Sequence, residues 1–202
     1  MILHTSGIQE MFEKLFEFEA ALAEFTGAPY VVVTDGCTHA IELCFRYTHP
    51  GYCKFPAHTY LSIPQLMKNM HIDFDLSDEE WVGEYRFHNT HVWDSARLLQ
   101  RGMYRFGMMQ CLSFGHGKPL QLGKGGAVLL DDKHAYEWLS RARSDGRDLR
   151  ISPWESQKTF EPGWHYCPTL ETCEEGIKKL PFVDQEPKYY QYPDLRDIDI
   201  TI

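Results

Sequence analysis

Lys118 stands in SFGHGKPLQLGKGGAVLLDD, Ser113 to Asp132, a glycine-rich bend that runs into an apolar segment. A lysine amine attacks a carbonyl and forms a Schiff base when burial or cationic neighbours make it nucleophilic. Most lysines are solvated surface groups, so the company it keeps decides. Ser113 lies five residues upstream. Asp94 ends the apolar run Thr90-His91-Val92-Trp93, where a carboxylate either caps a helix or pairs with a cationic ring nitrogen on a ligand. Gly36-Cys37-Thr38 precedes a helical segment. Free N–H groups at a helix start, with a hydroxyl beside them, make an anion site. Taken alone, the same residues suit an ordinary cap by Asp35 or Thr38. His116 has the chemistry of an acid or base, although a loop histidine is more often incidental.

Other chemistries lack their residues. A phosphate-binding G-x-x-x-x-G-K-[ST] loop around Lys118 would need glycine at Leu112 and a hydroxyl at Pro119, and no G-x-G-x-x-G occurs. The ten histidines show no H-x-x-x-H or H-E-x-x-H spacing, so no metal is expected. The six cysteines form no C-x-x-C pair, which fits a reduced, cytoplasmic protein.

These groups need elements to hold them. Ile8 to Thr26 has helical periodicity, with Gly27 as its stop, and Tyr30 to Thr34 reads as a buried strand. His39 to Tyr47 reads as a helix, so strand, small-residue turn and helix follow in order. Further strands are expected at Tyr52–Phe55, His71–Leu76, Glu84–His88, Thr90–Trp93, Gln110–Phe114 and Ala127–Leu130. Helices are expected at Ser62–Met70, Ser95–Arg101, Lys133–Arg143 and Leu170–Leu180. This alternation implies an α/β fold: three layers, a mostly parallel sheet with helices on both faces. Ligands of such sheets gather beyond the carboxyl ends of the strands, where Gly36–Thr38, Thr59–Tyr60, Asp94, Ser113 and Lys118 all fall. Residues 1–180 form the expected domain, and 181–202 an extended acidic and aromatic arm.

The chain of 202 residues has 43% hydrophobic residues and a formal net charge of −9. That suits one domain with a real core. The acidic balance argues against nucleic-acid binding, which needs a basic face. No apolar run is long enough to span a bilayer, and the N-terminus is not expected to be a secretory signal.

Five motifs in order resemble the DegT/DnrJ/EryC1/StrS family of sugar aminotransferases, pyridoxal-phosphate enzymes of fold type I. FEFEAALAEFTGAPYVVVTDGCTHAIEL is similar to the family's opening helix and phosphate turn. FPAHTYLSIPQL is similar to the segment whose aromatic covers the cofactor ring, and VWDSA to the strand end bearing the ring-nitrogen aspartate. SFGHGKPLQLGKGGAVLLDD resembles S-F-x-x-x-K followed by G-x-G-G. RARSDGRD and GWHYCPTLETCEEGIKKL are similar to the later "hG" and "NYR" regions. The resemblance runs from about Phe12 to Leu180.

It implies that Lys118 carries pyridoxal 5'-phosphate as an internal aldimine. Asp94 would protonate the pyridine nitrogen, and Tyr60 would stack on the ring. Gly36, Cys37, Thr38 and Ser113 would bind the phosphate, and Gly123, Gly125 and Gly126 would let the backbone turn beneath the site. The implied reaction moves an amino group from an amino acid such as glutamate to a nucleotide-linked keto sugar. His116 and His165 are candidate substrate contacts, and a homodimer or larger assembly is expected. The sequence departs from the family's pattern in several places. The C-terminal small domain is expected to be missing, and the spacing from Asp75 to Asp94 is short. Arg97 stands where the family has glutamine or histidine, and His165 and Cys167 replace the asparagine and arginine of the "NYR" step. These departures keep a second reading open, that of a non-catalytic scaffold or sugar-nucleotide-binding subunit.

Overall fold

The computed structural model describes residues 5–183 and 186–199. Helix α1 (Thr5–Thr26) buries Phe12, Leu15, Phe18, Leu22 and Phe25, spaced three and four apart so that they share one face. Strand β1 (Tyr30–Thr34) follows, then α2 (Cys37–Thr48), β2 (Tyr52–Pro56), α3 (Ser62–Asn69) and β3 (Asp73–Ser77). The chain continues through β4 (Tyr85–Arg86), β5 (Val92–Asp94), β6 (Met109–Ser113), β7 (Gly126–Leu130), α4 (Lys133–Ala142) and α5 (Leu170–Lys179).

The main sheet has the order β1-β7-β6-β5-β4, and β2 and β3 form a separate parallel pair. Alternating side chains divide the interior in two. Val32, Val128 and Leu130 face α2, α3 and α4. Val31, Val33, Ala127 and Leu129 face α1 and α5. These are the three layers the alternation of elements implies. On the second face α5 lies against α1 so closely that a Cβ on Gly176 would sit 2.3 Å from the Phe18 ring.

The sheet is more mixed than that alternation suggests. Strands β5 and β6 are parallel, but β7 runs antiparallel to both β1 and β6, and β4 antiparallel to β5. No crossover helix separates β6 from β7. The glycine-rich bend carrying Lys118 turns the chain straight back. A second difference concerns residues 95–101, which are not helical. Their polar groups bond to the segment before β4 instead of along a helix. Arg97 N donates to Gly83 O at 3.0 Å, and Ser95 Oγ donates to Glu84 Oε2 at 2.6 Å.

One buried ion pair ties the layers together. Arg143, 1% exposed at its side chain, pairs with Glu19 of α1 and also donates to Val33 O of β1 at 2.7 Å. Glu19 in turn accepts from Val33 N at 2.9 Å. Among the described residues no helix is long and apolar enough to cross a membrane, and no group of three or more His, Cys, Asp or Glu is placed to hold a metal.

Candidate cofactor site

A cleft of about 590 Å³ opens beyond the carboxyl ends of β1, β5 and β6. Gly36, Cys37, Thr38, Tyr60, Asp94, Ser113, His116 and Lys118 all line it. His165 does not. Its largely exposed ring pairs with Asp145 Oδ2 at 3.1 Å, beyond the end of α4.

The start of α2 carries no side-chain cap: Gly36 is the capping residue. The two candidates for that role are engaged elsewhere. Asp35 Oδ1 pairs with His39 Nδ1 at 2.5 Å, and its Oδ2 accepts from Lys124 Nζ at 3.0 Å. Burial raises the Asp35 carboxyl, but those two partners outweigh it and hold the group below its ordinary value. Thr38 Oγ1 meets Ser62 Oγ at 2.8 Å. The N–H groups of the first turn, which have no intrahelical partner, therefore face the cleft with two hydroxyls beside them. Close backbone approach keeps that turn in place: a Cβ on Gly126 would lie 2.5 Å from Cys37 N. Cys37 is a poor nucleophile here. Its thiol donates to Cys111 O at 3.6 Å, and burial pushes its pKa well up.

Asp94 is 4% exposed. Its Oδ1 accepts from Ala96 N at 2.9 Å and its Oδ2 from the Tyr85 hydroxyl at 3.0 Å. Tyr85 meets Thr59 Oγ1 at 2.9 Å, which completes a buried chain of polar groups. Burial raises the Asp94 carboxyl above its ordinary value, and the Ala96 amide, the Lys118 charge and the Tyr85 hydroxyl only partly offset the rise. Burial and the nearby Asp94 charge push the Tyr85 phenol well up, so it stays a neutral donor.

Lys118 sits on a bend closed at its base by a Gly115–Gly123 bridge and by Leu122 N donating to Phe114 O at 2.8 Å. Its Nζ donates to the Tyr192 hydroxyl at 3.2 Å. Ser113 Oγ, at the end of β6, accepts from Gly115 N at 3.4 Å and keeps further hydrogen-bonding capacity. Tyr60, 61% exposed, stands at the cleft mouth.

Sequence reasoning missed Tyr85, Ser62, Trp81, Tyr190 and Tyr192. The last three line the cleft, as does Ser62, while Tyr85 lies behind Asp94. A row of rings runs inward from the mouth. Tyr192 stacks on Trp81 at 5.9 Å, Trp81 meets Tyr85 at 4.9 Å, Tyr85 meets Phe87 at 5.3 Å, and Phe87 meets Phe45 of α2 at 5.1 Å.

The donor set fits a flat, phosphorylated cofactor. The cleft is of ordinary ligand size. It offers an uncapped helix start and hydroxyls able to hold a phosphate, a buried carboxylate able to pair with a ring nitrogen, and a lysine amine.

The fold is that of the large domain of the DegT/DnrJ/EryC1/StrS sugar aminotransferases. A sugar aminotransferase from Micromonospora echinospora is 14% identical with a TM-score of 0.68, over 90% of this chain and 66% of that one. A DegT DnrJ EryC1 StrS aminotransferase from Brucella abortus is 15% identical with a TM-score of 0.66, over 83% and 58%. A GDP-4-keto-6-deoxymannose-3-dehydratase with bound GDP-perosamine is 16% identical with a TM-score of 0.66, over 84% and 61%. The chain spans about three fifths of the length of these structures. Neither the protein-family models nor the curated proteins give a match to it.

Proposed function

We propose that the protein is a pyridoxal-phosphate-dependent aminotransferase that moves an amino group from an amino acid, glutamate by preference, to a nucleotide-linked keto sugar. The observation that carries this reading is the convergence of Lys118, Asp94, Ser113 and the uncapped start of α2 on one cleft. The likeness of fold to sugar aminotransferases supports it.

The N–H groups of Cys37 and Thr38, with the hydroxyls of Thr38 and Ser113, would hold the phosphate. Asp94 would face the ring nitrogen, and Tyr60 would cover the ring. When bound, the cofactor supplies an electron sink that makes the carbon bearing the substrate nitrogen acidic. Lys118 Nζ would carry the proton between the substrate carbon and the cofactor carbon, in one direction with the amino donor and in the other with the keto sugar. The polar chain from Thr59 through Tyr85 fixes Asp94 where its charge matters, in a site shielded from water.

His116 lines the cleft, and in this reading it contacts substrate. His165 would do so only from a second copy. The exposed apolar residues Ile151, Trp154 and Phe160 on the segment before it support a homodimer. Six free thiols fit a reducing compartment such as the cytoplasm.

Adding pyridoxal phosphate to the purified protein is expected to produce the yellow absorbance of the lysine-bound cofactor, and glutamate should bleach it. Lys118→Ala should give no yellow species and lose about a thousandfold or more in turnover. A colourless parent protein would favour the non-catalytic scaffold instead.

A further inference from the structure

The described C-terminal residues fold back over the cleft. Leu195 N donates to Ala57 O at 3.1 Å, His58 Nδ1 meets Tyr192 O at 3.0 Å, and Arg196 Nη1 donates to Asp78 Oδ1 at 2.7 Å. Tyr189 and Tyr190 are exposed on this stretch, whereas Tyr192 is only 8% exposed. Its ring lies on Trp81 and its hydroxyl accepts from Lys118 Nζ at 3.2 Å. Arg97 lies over the Tyr190 ring, 4.3 Å from its centroid, and that ring packs against Tyr192 at 4.6 Å. The cleft keeps its volume with these residues in place, so they form its wall and do not fill it.

We propose that Tyr192 is a positioning residue for Lys118, delivered by a C-terminal strap of residues 187–197 that walls the cleft. The proposal rests on the reading of Lys118 as the cofactor lysine. The phenol oxygen is the group that holds the amine when it is not bonded to anything else. It keeps the amine inside the cleft and aimed at the carbonyl it must meet. A tyrosine present for packing alone would need its ring and not its oxygen, which makes the oxygen the part to test.

The experiment follows the reactivity of Lys118 in the protein without added cofactor. Brief treatment with acetic anhydride and peptide mapping give the acylation rate at Lys118 relative to exposed Lys133 in the same molecule. In Tyr192→Phe the stack on Trp81 is kept and the oxygen is lost. The Lys118 to Lys133 ratio should rise roughly tenfold, the worth of a hydrogen bond to a charged group. Arg196→Ala unpins the strap and should raise the same ratio at least as much, which keeps the test open if Tyr192→Phe folds poorly. In cofactor-loaded protein, Tyr192→Phe should lower kcat and leave KM for the amino donor unchanged. Ratios equal to the parent's in both variants overturn the proposal. If the parent never turns yellow but Tyr192→Phe releases Lys118, the cofactor reading fails and the strap contact stands. A yellow parent with unchanged ratios removes the strap alone.

Discussion

In the proposed function Asp94 serves chemistry at the expense of the fold. Its carboxyl is raised in the folded protein by burial, so the ionised form at neutral pH opposes folding. That opposition is full above the folded pKa and vanishes as pH falls below the unfolded value of 3.8. Asp94→Asn keeps an oxygen for Ala96 N and removes the charge. In the cofactor-free protein it should therefore raise the thermal midpoint at pH 7, and the gap from the parent should close as the pH is lowered toward 4. The same variant should lose turnover more than cofactor affinity, because ring protonation matters most in the carbanion-like transition state. Thermal scans across pH, together with cofactor titration, check both expectations. Asp94, Ser113 and Lys118 line one cleft, and the sequence drew notice to them because Asp94 ends an apolar run and Lys118 stands on a glycine-rich bend five residues after Ser113. It drew none to Tyr85 and Tyr192. One reaches Asp94 across a strand pair, and the other reaches Lys118 from 74 positions away, and no local spacing encodes such a meeting.

At the scale of elements, the bend between β6 and β7 and the start of α2 are one construction. Strand β7 begins directly beneath Cys37, and Gly126 leaves room for the passage. Gly126→Ala forces the two backbones apart and should cost roughly 1–3 kcal/mol of stability. It should also weaken pyridoxal phosphate binding, because the displaced turn is the one that faces the cleft. Urea unfolding and a binding titration on the same preparation separate the two effects. The strands and helices along this path were readable from β-branched runs and helical spacing. Residues 95–101 misled because their composition suits a helix, while their backbone amides bond across the fold, Ser95 N to Cys111 O at 2.8 Å and Arg97 N to Gly83 O at 3.0 Å. The direction of β7 was equally hidden. A bend rich in glycine permits either a return or a crossover, and only tertiary pairing chooses.

Across the whole molecule, the Arg143–Glu19 pair connects α1, β1 and the end of α4 at a point from which water is excluded. Burial opposes the Arg143 charge, but Glu19 together with the neighbouring Cys167 and Tyr136 more than compensates, and the guanidinium is held charged. Glu19→Ala leaves that charge buried without its counter-ion and should destabilise by about 3–5 kcal/mol in urea unfolding. Composition and alternation made the three layers readable. They gave no hint of this pair, because an acid on an amphipathic helix ordinarily faces solvent.

The ring series from Tyr192 to Phe45 carries a consequence of its own. Closely packed aromatic groups interlock like teeth, and one cannot tilt without displacing the next. Phe45 belongs to the helix whose opposite end faces the cleft. Tyr192 on the cleft wall and the turn that opens α2 are thus the two ends of one continuous train of packed rings and helix through the protein's interior.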